Sequence, residues 1–324
     1  MPMDVQSAEG NFIKIRIAPP NSWLEIISAS FQRNFLRVAF RALIRPSFGI
    51  QFQRLWVGML SPLMPGVMDV SRQKILADGV PAEMVMPNGK NEKGVVLYLH
   101  GGAYCLGSPQ SHRSITTRLA AYSGLSILVP DYRLAPEHPS PAALLDALIC
   151  YDFLISSGTP SKQIVIGGDS AGGSLAISLS LTLRDRGDSM PAGLVLISPV
   201  TDPSISGDSV RSNARVDPMV NEGWIRQGLE SYGASPNDSV SNPLTADLRG
   251  LPHMLIQVGD QEILMSDSTR FAERAIAHGV ECQLEVHEQR WHVFHLQAFY
   301  LLSARSALRR LADFTVKCVS GRAR

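Results

Sequence analysis

Ile164 to Gly173, reading IVIGGDSAGG, constrains the fold of this 324-residue chain more than any other stretch. Ile164 to Gly167 reads as a short buried strand, and Ser174 to Arg184 continues as an apolar, glycine-free helix. Between them Gly168-Asp169-Ser170-Ala171-Gly172 spells G-x-S-x-G. A serine lifted onto the tip of a strand-to-helix turn sits in strained backbone, and strand and helix pass closely only where the neighbours are small. Gly168 and Gly172 supply that room. A helix starting at Ala171 also turns backbone N–H groups and the positive end of its dipole toward an anion at the serine.

From Arg72 onward strand and helix signals alternate, which predicts an α/β fold with a mostly parallel central sheet flanked by helices. Gln73 to Ile75 and Ala82 to Met86 read as an opening strand pair, with Pro87-Asn88-Gly89-Lys90 as the turn. The expected strands that follow are Gly94 to Leu99, Ser126 to Pro130, the serine strand, Gly193 to Ser198, Met254 to Val258 and Gln283 to Val286. Helices are expected over His112 to Ser123, Pro141 to Ser156 and Ser268 to His278, with a long closing helix over Trp291 to Arg310.

Residues 1–70 read differently, as a helical cap beside a main domain over 71–324. Ser22 to Met64 is helical and apolar, broken at residues 46–49 and 61–62. Arg33, Arg37, Arg41 and Arg45 recur every fourth residue and predict one basic stripe on a helix face. Such a helix suits a mobile lid over a pocket, which the serine turn needs; a membrane-surface helix or a plain solvated face are the alternatives. A second cap insert is expected at about 200–250, where Pro/Ser/Asn/Asp-rich text surrounds one helix, Asn221 to Tyr232.

Composition excludes other classes. Lys+Arg 30 against Asp+Glu 29 leaves a net charge of +1, so nothing in the bulk charge argues for nucleic acid. No run of about eighteen uncharged apolar residues is present to form an integral membrane segment. Cys105, Cys150, Cys282 and Cys318 have no paired spacing, and the opening MPMDVQSAEGNFIKIRI carries acids where a secretion signal needs basic and then apolar residues. A cytoplasmic location is therefore expected. The terminal strands of the sheet offer an edge through which two copies could pair as a homodimer.

A serine is a weak nucleophile without a base, an orienting acid and donors for the developing oxyanion. His100-Gly101-Gly102-Ala103 follows a strand as an oxyanion loop does, and Gly101, Gly102 and Ala103 together with Ala171 are the expected donors. Each such donor lowers a barrier by roughly 3–4 kcal/mol. The base is expected after the acid, near the C-terminus. His292 lies just past the last strand, whereas His287 falls in that strand and His295 in the closing helix. Asp260 and Glu262, after the Met254 to Val258 strand, are both candidates for the acid.

HGGA at 100–103, DYRLAPEHP at 131–139, GDSAGG at 168–173 and His292-Val293-Phe294 together resemble the hormone-sensitive-lipase-like family of α/β-hydrolases, bacterial carboxylesterases with a helical cap. The resemblance runs from about Gly94 to the C-terminus. It implies a Ser-acid-His triad, an oxyanion loop, no metal or other cofactor, and short- to medium-chain esters as substrates. It makes residues 131–137 a buttress of the site. The family usually carries Asp-x-Leu about thirty residues before the histidine; here Glu262-Ile263-Leu264 occupies that slot, so Glu262 is the expected acid and Asp260 the runner-up. Ala103 stands where the family has a third glycine, which is expected to narrow the acyl side, and Trp291 is expected to wall the pocket. Trp23, Phe31, Phe35, Met219 and Trp224 are candidates for the pocket lining or for plain core. A lactone hydrolase, deacetylase, peptidase or amidase on the same triad is an alternative, as is a ligand receptor of this fold like the plant hormone receptors related to the family. His292 argues against the receptor.

Overall fold

A computed structural model describes residues 3–9, 12–89, 93–238 and 240–321. The chain opens with two strands, β1 (Met3–Glu9) and β2 (Phe12–Ile17), followed by the cap helices α1 (Trp23–Leu36) and α2 (Ile50–Leu60). An antiparallel pair, β3 (Val70–Ala77) and β4 (Val80–Pro87), leads into β5 (Val95–Leu99), α3 (Arg113–Ser123), β6 (Ser126–Pro130), α4 (Ala142–Ser156) and β7 (Ile164–Asp169). After α5 (Ala171–Asp185) and β8 (Gly193–Ile197) come α6 (Asp208–Ser212) and α7 (Glu222–Tyr232). The chain closes with β9 (Met254–Gly259), α8 (Met265–Ala277), β10 (Cys282–His287) and α9 (Leu302–Val319).

All ten strands form one sheet in the order β1-β2-β10-β9-β8-β7-β5-β6-β4-β3. The run from β2 to β6 is parallel, and antiparallel pairing is confined to β1/β2, β4/β6 and β3/β4. Helices cover both faces, so the inner strands are buried on both sides and read as unbroken Val/Ile/Leu text. This is the expected mostly parallel α/β architecture. The serine strand β7 lies between β5 and β8, near the middle of the sheet, where the C-terminal ends of parallel strands make a crevice.

The structure differs from the expectations in four places. The cap does not occupy all of residues 1–70: β1 and β2 add to the sheet beyond β10, and β2 runs parallel to it. The edge of β10 is thereby covered by the chain's own N-terminal hairpin and is not a free pairing edge. The turn of the opening pair is Asp78-Gly79, whose φ values of 45° and 92° suit a tight hairpin; residues 87–89 instead lead toward β5, and Lys90 lies outside the described residues. The closing helix starts at Leu302 rather than Trp291, because the chain first makes a short turn over Phe294–Gln297.

The fourth difference is the arginine stripe. The turn over Arg37–Arg41 is a π-helix, which breaks the 3.6-residue period, and the helix ends there, which leaves Arg45 in the following turn. Arg33 turns inward to Gln261 and Gln289, and Arg41 donates to the carbonyls of Ala214, Asp217 and Val220. Arg37 and Arg45 stay exposed. The cap is also pinned at its start. Glu25 is buried and accepts from Arg290, Leu302 N and Ser303. At α2, Arg54 bonds Glu137 and the carbonyls of Cys105 and Ala135. The cap helices and the 200–250 insert meet where Phe40 packs edge-to-face on Trp224, with ring centroids 5.8 Å apart.

Candidate active site

Ser170 sits between β7 and α5 with φ 53° and ψ −121°, a backbone shape unusual for any residue but glycine. The strain is tolerated because the surroundings are too close-packed to relax. A methyl on Gly172 would lie 2.0 Å from the Leu99 carbonyl oxygen, so no other residue fits there. The serine N–H donates to Ile197 O at 2.8 Å, which fixes the turn from the neighbouring strand.

Glu262 and His292 meet although they follow different strands. Glu262 Oε1 lies 3.1 Å from His292 Nδ1, and Glu262 Oε2 accepts from Ser198 Oγ at 2.8 Å and from Gly259 N at 2.9 Å. With the carboxylate as acceptor, Nδ1 carries the proton, which leaves Nε2 as the basic nitrogen of the neutral ring. Burial works against the His292 cation, but the hydrogen bond and charge of Glu262, with Asp217 and Asp169 further out, raise its pKa above 6.5. Asp260 points elsewhere: it accepts from Gln289 N at 2.6 Å and faces Arg16 at 3.5 Å.

Ser170 and His292 line the same cavity of about 280 Å³, together with Gly101 and Gly102. The rest of its wall is almost wholly apolar. Leu36, Phe40, Met219 and Trp224 are its buried end, and Phe31, Leu63 and Tyr300 are its exposed mouth. Phe35 lines it as well, so of the five candidate lining residues only Trp23 does not: it is 69% exposed on the outer face of α1. Trp291 does not wall the cavity either. It is fully buried, its indole donates to Gln297 Oε1 at 3.2 Å, and the Arg33 guanidinium lies over its ring.

The HGGA loop turns sharply, with φ of 123°, 52° and 60° at Gly102, Ala103 and Tyr104. Among the described residues the N–H groups of Gly102 and Ala103 have no protein acceptor, and Ala171 opens α5, where the first N–H groups have no partner within the helix. The expected narrowing by Ala103 does not occur. At positive φ its methyl turns toward Gly228 of α7, which has no room for a Cβ of its own, and Ala103 does not line the cavity. Behind the loop Tyr132 donates to His100 O at 2.6 Å and stacks on the His100 ring, so residues 131–137 do hold the loop from behind. Burial and the charge of His112 push His100 down to about 3, which keeps it neutral. His287 and His295 lie outside the cavity, and His295 bonds Gln257 at 2.9 Å. No cluster of three or more His, Cys, Asp or Glu side chains among the described residues is arranged to hold a metal ion.

Comparison with known proteins follows the same geometry. Residues 96–296 match a family model described as the alpha/beta hydrolase fold. An esterase of Acinetobacter venetianus is 33% identical over 88% of this chain and 94% of its own, and an acetyl-hydrolase of Streptomyces hygroscopicus 37% identical over 70% and 76%. The crystal structure of an esterase from the bacterial hormone-sensitive lipase family superposes with a TM-score of 0.85 at 34% identity, covering 93% of this chain and 99% of that one. The chain belongs to the hormone-sensitive-lipase-like family of α/β-hydrolase esterases.

Two carboxylates of this family member escaped the reading of its sequence. Asp169, the residue before the serine, is buried between the Tyr98 hydroxyl at 2.9 Å and His112 Nε2 at 3.3 Å. Burial opposes its ionisation, yet His112 and the Tyr98 hydrogen bond hold its carboxyl below the usual range. A methyl on Gly101 would lie 2.2 Å from Asp169 Oδ2, so this pair is the floor under the HGGA loop. Asp217, in the second insert, accepts from Met219 N, Val220 N and Ile263 N at 2.9, 2.9 and 3.0 Å. It thereby ties the insert to the residue after Glu262. Burial pushes it up to about 6 against those donors. Neither role has a local signal, since Tyr98 and His112 for Asp169, and Ile263 for Asp217, lie tens of residues away in the chain.

Proposed function

We propose that this esterase-family protein is a serine carboxylesterase acting on short- to medium-chain carboxylic esters through Ser170, His292 and Glu262. The observation that carries the reading is the fully buried Glu262–His292 hydrogen bond, 3.1 Å long, on a wall of the cavity that Ser170 also lines. Ser170 Oγ attacks the ester carbonyl while His292 Nε2 takes its proton, and Glu262 holds the ring in the tautomer that leaves Nε2 free. Backbone N–H groups of the Gly101–Ala103 loop and Ala171 receive the oxyanion. His292 then passes the proton to the leaving alcohol, and water repeats both steps on the acyl-enzyme. A closed apolar end at Phe40 and Trp224 supports the limit on acyl length, and the acetyl-hydrolase relative makes acetyl esters one member of the class. An assembled acid–histidine pair speaks against a non-catalytic receptor. Four buried, unpaired cysteines support a cytoplasmic site of action.

The test is hydrolysis of p-nitrophenyl esters of increasing acyl length by wild type and Ser170→Ala. The reading requires release of p-nitrophenol from the shorter esters that is lost in the variant. Equal release by both proteins contradicts it.

A further inference from the structure

We propose that the outer face of the cap docks on an anionic phospholipid surface, with the cavity mouth turned toward the lipid. The exposed large apolar side chains are Trp23, Leu24, Ile26, Ile27 and Phe31 on α1, and Phe52, Leu55 and Met59 on α2. Trp23, Phe31 and Leu55 are 69%, 64% and 64% exposed, far more than a large apolar side chain needs to be on a solvated helix. Two of the exposed apolar residues, Phe31 on α1 and Leu63 just after α2, also line the cavity, so the apolar face is continuous with the mouth.

Charge selects the occupant. Residues 18–68 contain a single acid, Glu25, and it is buried against Arg290. Arg37 and Arg45 are exposed on the same segment and carry no ion pair among the described residues. Glu137, which meets α2, is paired with Arg54, and Glu222 at the start of α7 is paired with Arg226. A cap segment that carries an exposed apolar surface, two exposed arginines without ion pairs and no exposed acid matches the boundary between anionic headgroups and acyl chains. It does not match a second copy of itself, because residues 18–68 of that copy would bring no free carboxylate to meet Arg37 and Arg45. Only the identity of what enters the cavity rests on the esterase reading; the docking does not.

The test is co-sedimentation of the Ser170→Ala protein with phosphatidylglycerol/phosphatidylcholine vesicles, which reads binding without turnover. The proposal requires pelleting with the mixed vesicles at low salt and much less with phosphatidylcholine alone or at high salt. Ile27→Asp/Leu55→Asp and Arg37→Glu/Arg45→Glu, four positions outside the cavity, should each lower the partition coefficient about tenfold or more. In the otherwise wild-type chain the same substitutions should leave hydrolysis of a soluble ester unchanged. Absence of pelleting, or pelleting that the variants share, overturns the proposal. So does a dimer in sedimentation velocity that either double variant dissociates, since the face is then covered by a second copy.

Discussion

Glu25 and Arg290 form a buried ion pair, 2.6 Å long, that joins the first cap helix to the residue two before His292. Ser303 completes it, bonding the guanidinium at 2.7 Å and the carboxylate as well. The start of the cap and the histidine loop are therefore one packed unit. Removing one member of such a pair leaves the other charge buried and unmatched, at a cost of about 3–5 kcal/mol. Glu25→Ala should lower the urea midpoint of unfolding by a matching amount. A loss of well under 1 kcal/mol in equilibrium denaturation contradicts the anchoring.

Glu262 and Asp260 should separate cleanly. Glu262→Gln should lower kcat by about 10⁴-fold, as expected when an orienting acid no longer fixes the tautomer. Asp260→Asn, outside the pair, should change kcat by only a few-fold. A steady-state comparison of the two variants decides; the reverse order reassigns the acid.

The pH profile carries the same relationship. His292 must be neutral to accept a proton, and Glu262 raises its pKa, so kcat/KM of the wild type should fall on acidification with a midpoint above 6.5. The residual activity of Glu262→Gln should keep its acid limb but move it to lower pH. A limb at the same pH in both proteins shows that another group is titrating.

Asp217 makes stability depend on pH in the opposite sense to most carboxylates. Its pKa is raised from 3.8 to about 6, so the folded chain holds a proton that the unfolded chain has lost, and stability from this group falls as pH rises through that window. Thermal unfolding of Asp217→Asn across that range should lose this component. Asparagine cannot accept from Ile263 N while its single oxygen serves Met219 and Val220, so the variant should be destabilised by about 1–3 kcal/mol near pH 8 and turn over more slowly. An unchanged pH dependence contradicts the assignment.

The closed end of the cavity sets acyl length. Trp224→Leu should raise kcat/KM for a longer-chain ester relative to the acetyl ester by about tenfold or more, since each methylene accommodated is worth 10-fold or better. A preference that does not move places the acyl chain elsewhere in the cavity.

What could be read from the sequence was what local chemistry dictates. The serine turn, the HGGA loop and the alternation of strand and helix are spelled in contiguous residues, and the parallel sheet followed from them. The contact of Glu262 with His292 was legible only through the thirty-residue spacing between them. The arginine stripe misled because the helix passes into a π-turn at Arg37–Arg41 and ends before Arg45, which four evenly spaced arginines do not reveal. Ala103 and Trp291 misled because the direction of a side chain follows from φ and from partners such as Gly228 and Gln297. The pairs Glu25–Arg290 and Asp217–Ile263 were invisible, since nothing near either residue in the chain announces its partner.

The central claim is that Ser170 carries the acyl group, and covalent trapping tests it most directly. The protein should be incubated with an alkyl p-nitrophenyl phosphonate, a mimic of the tetrahedral intermediate, and its peptides mapped by mass spectrometry. A single adduct on Ser170, absent in Ser170→Ala and slowed in Glu262→Gln, is the predicted result. A folded protein that takes no label, or takes it equally in Ser170→Ala, contradicts the account.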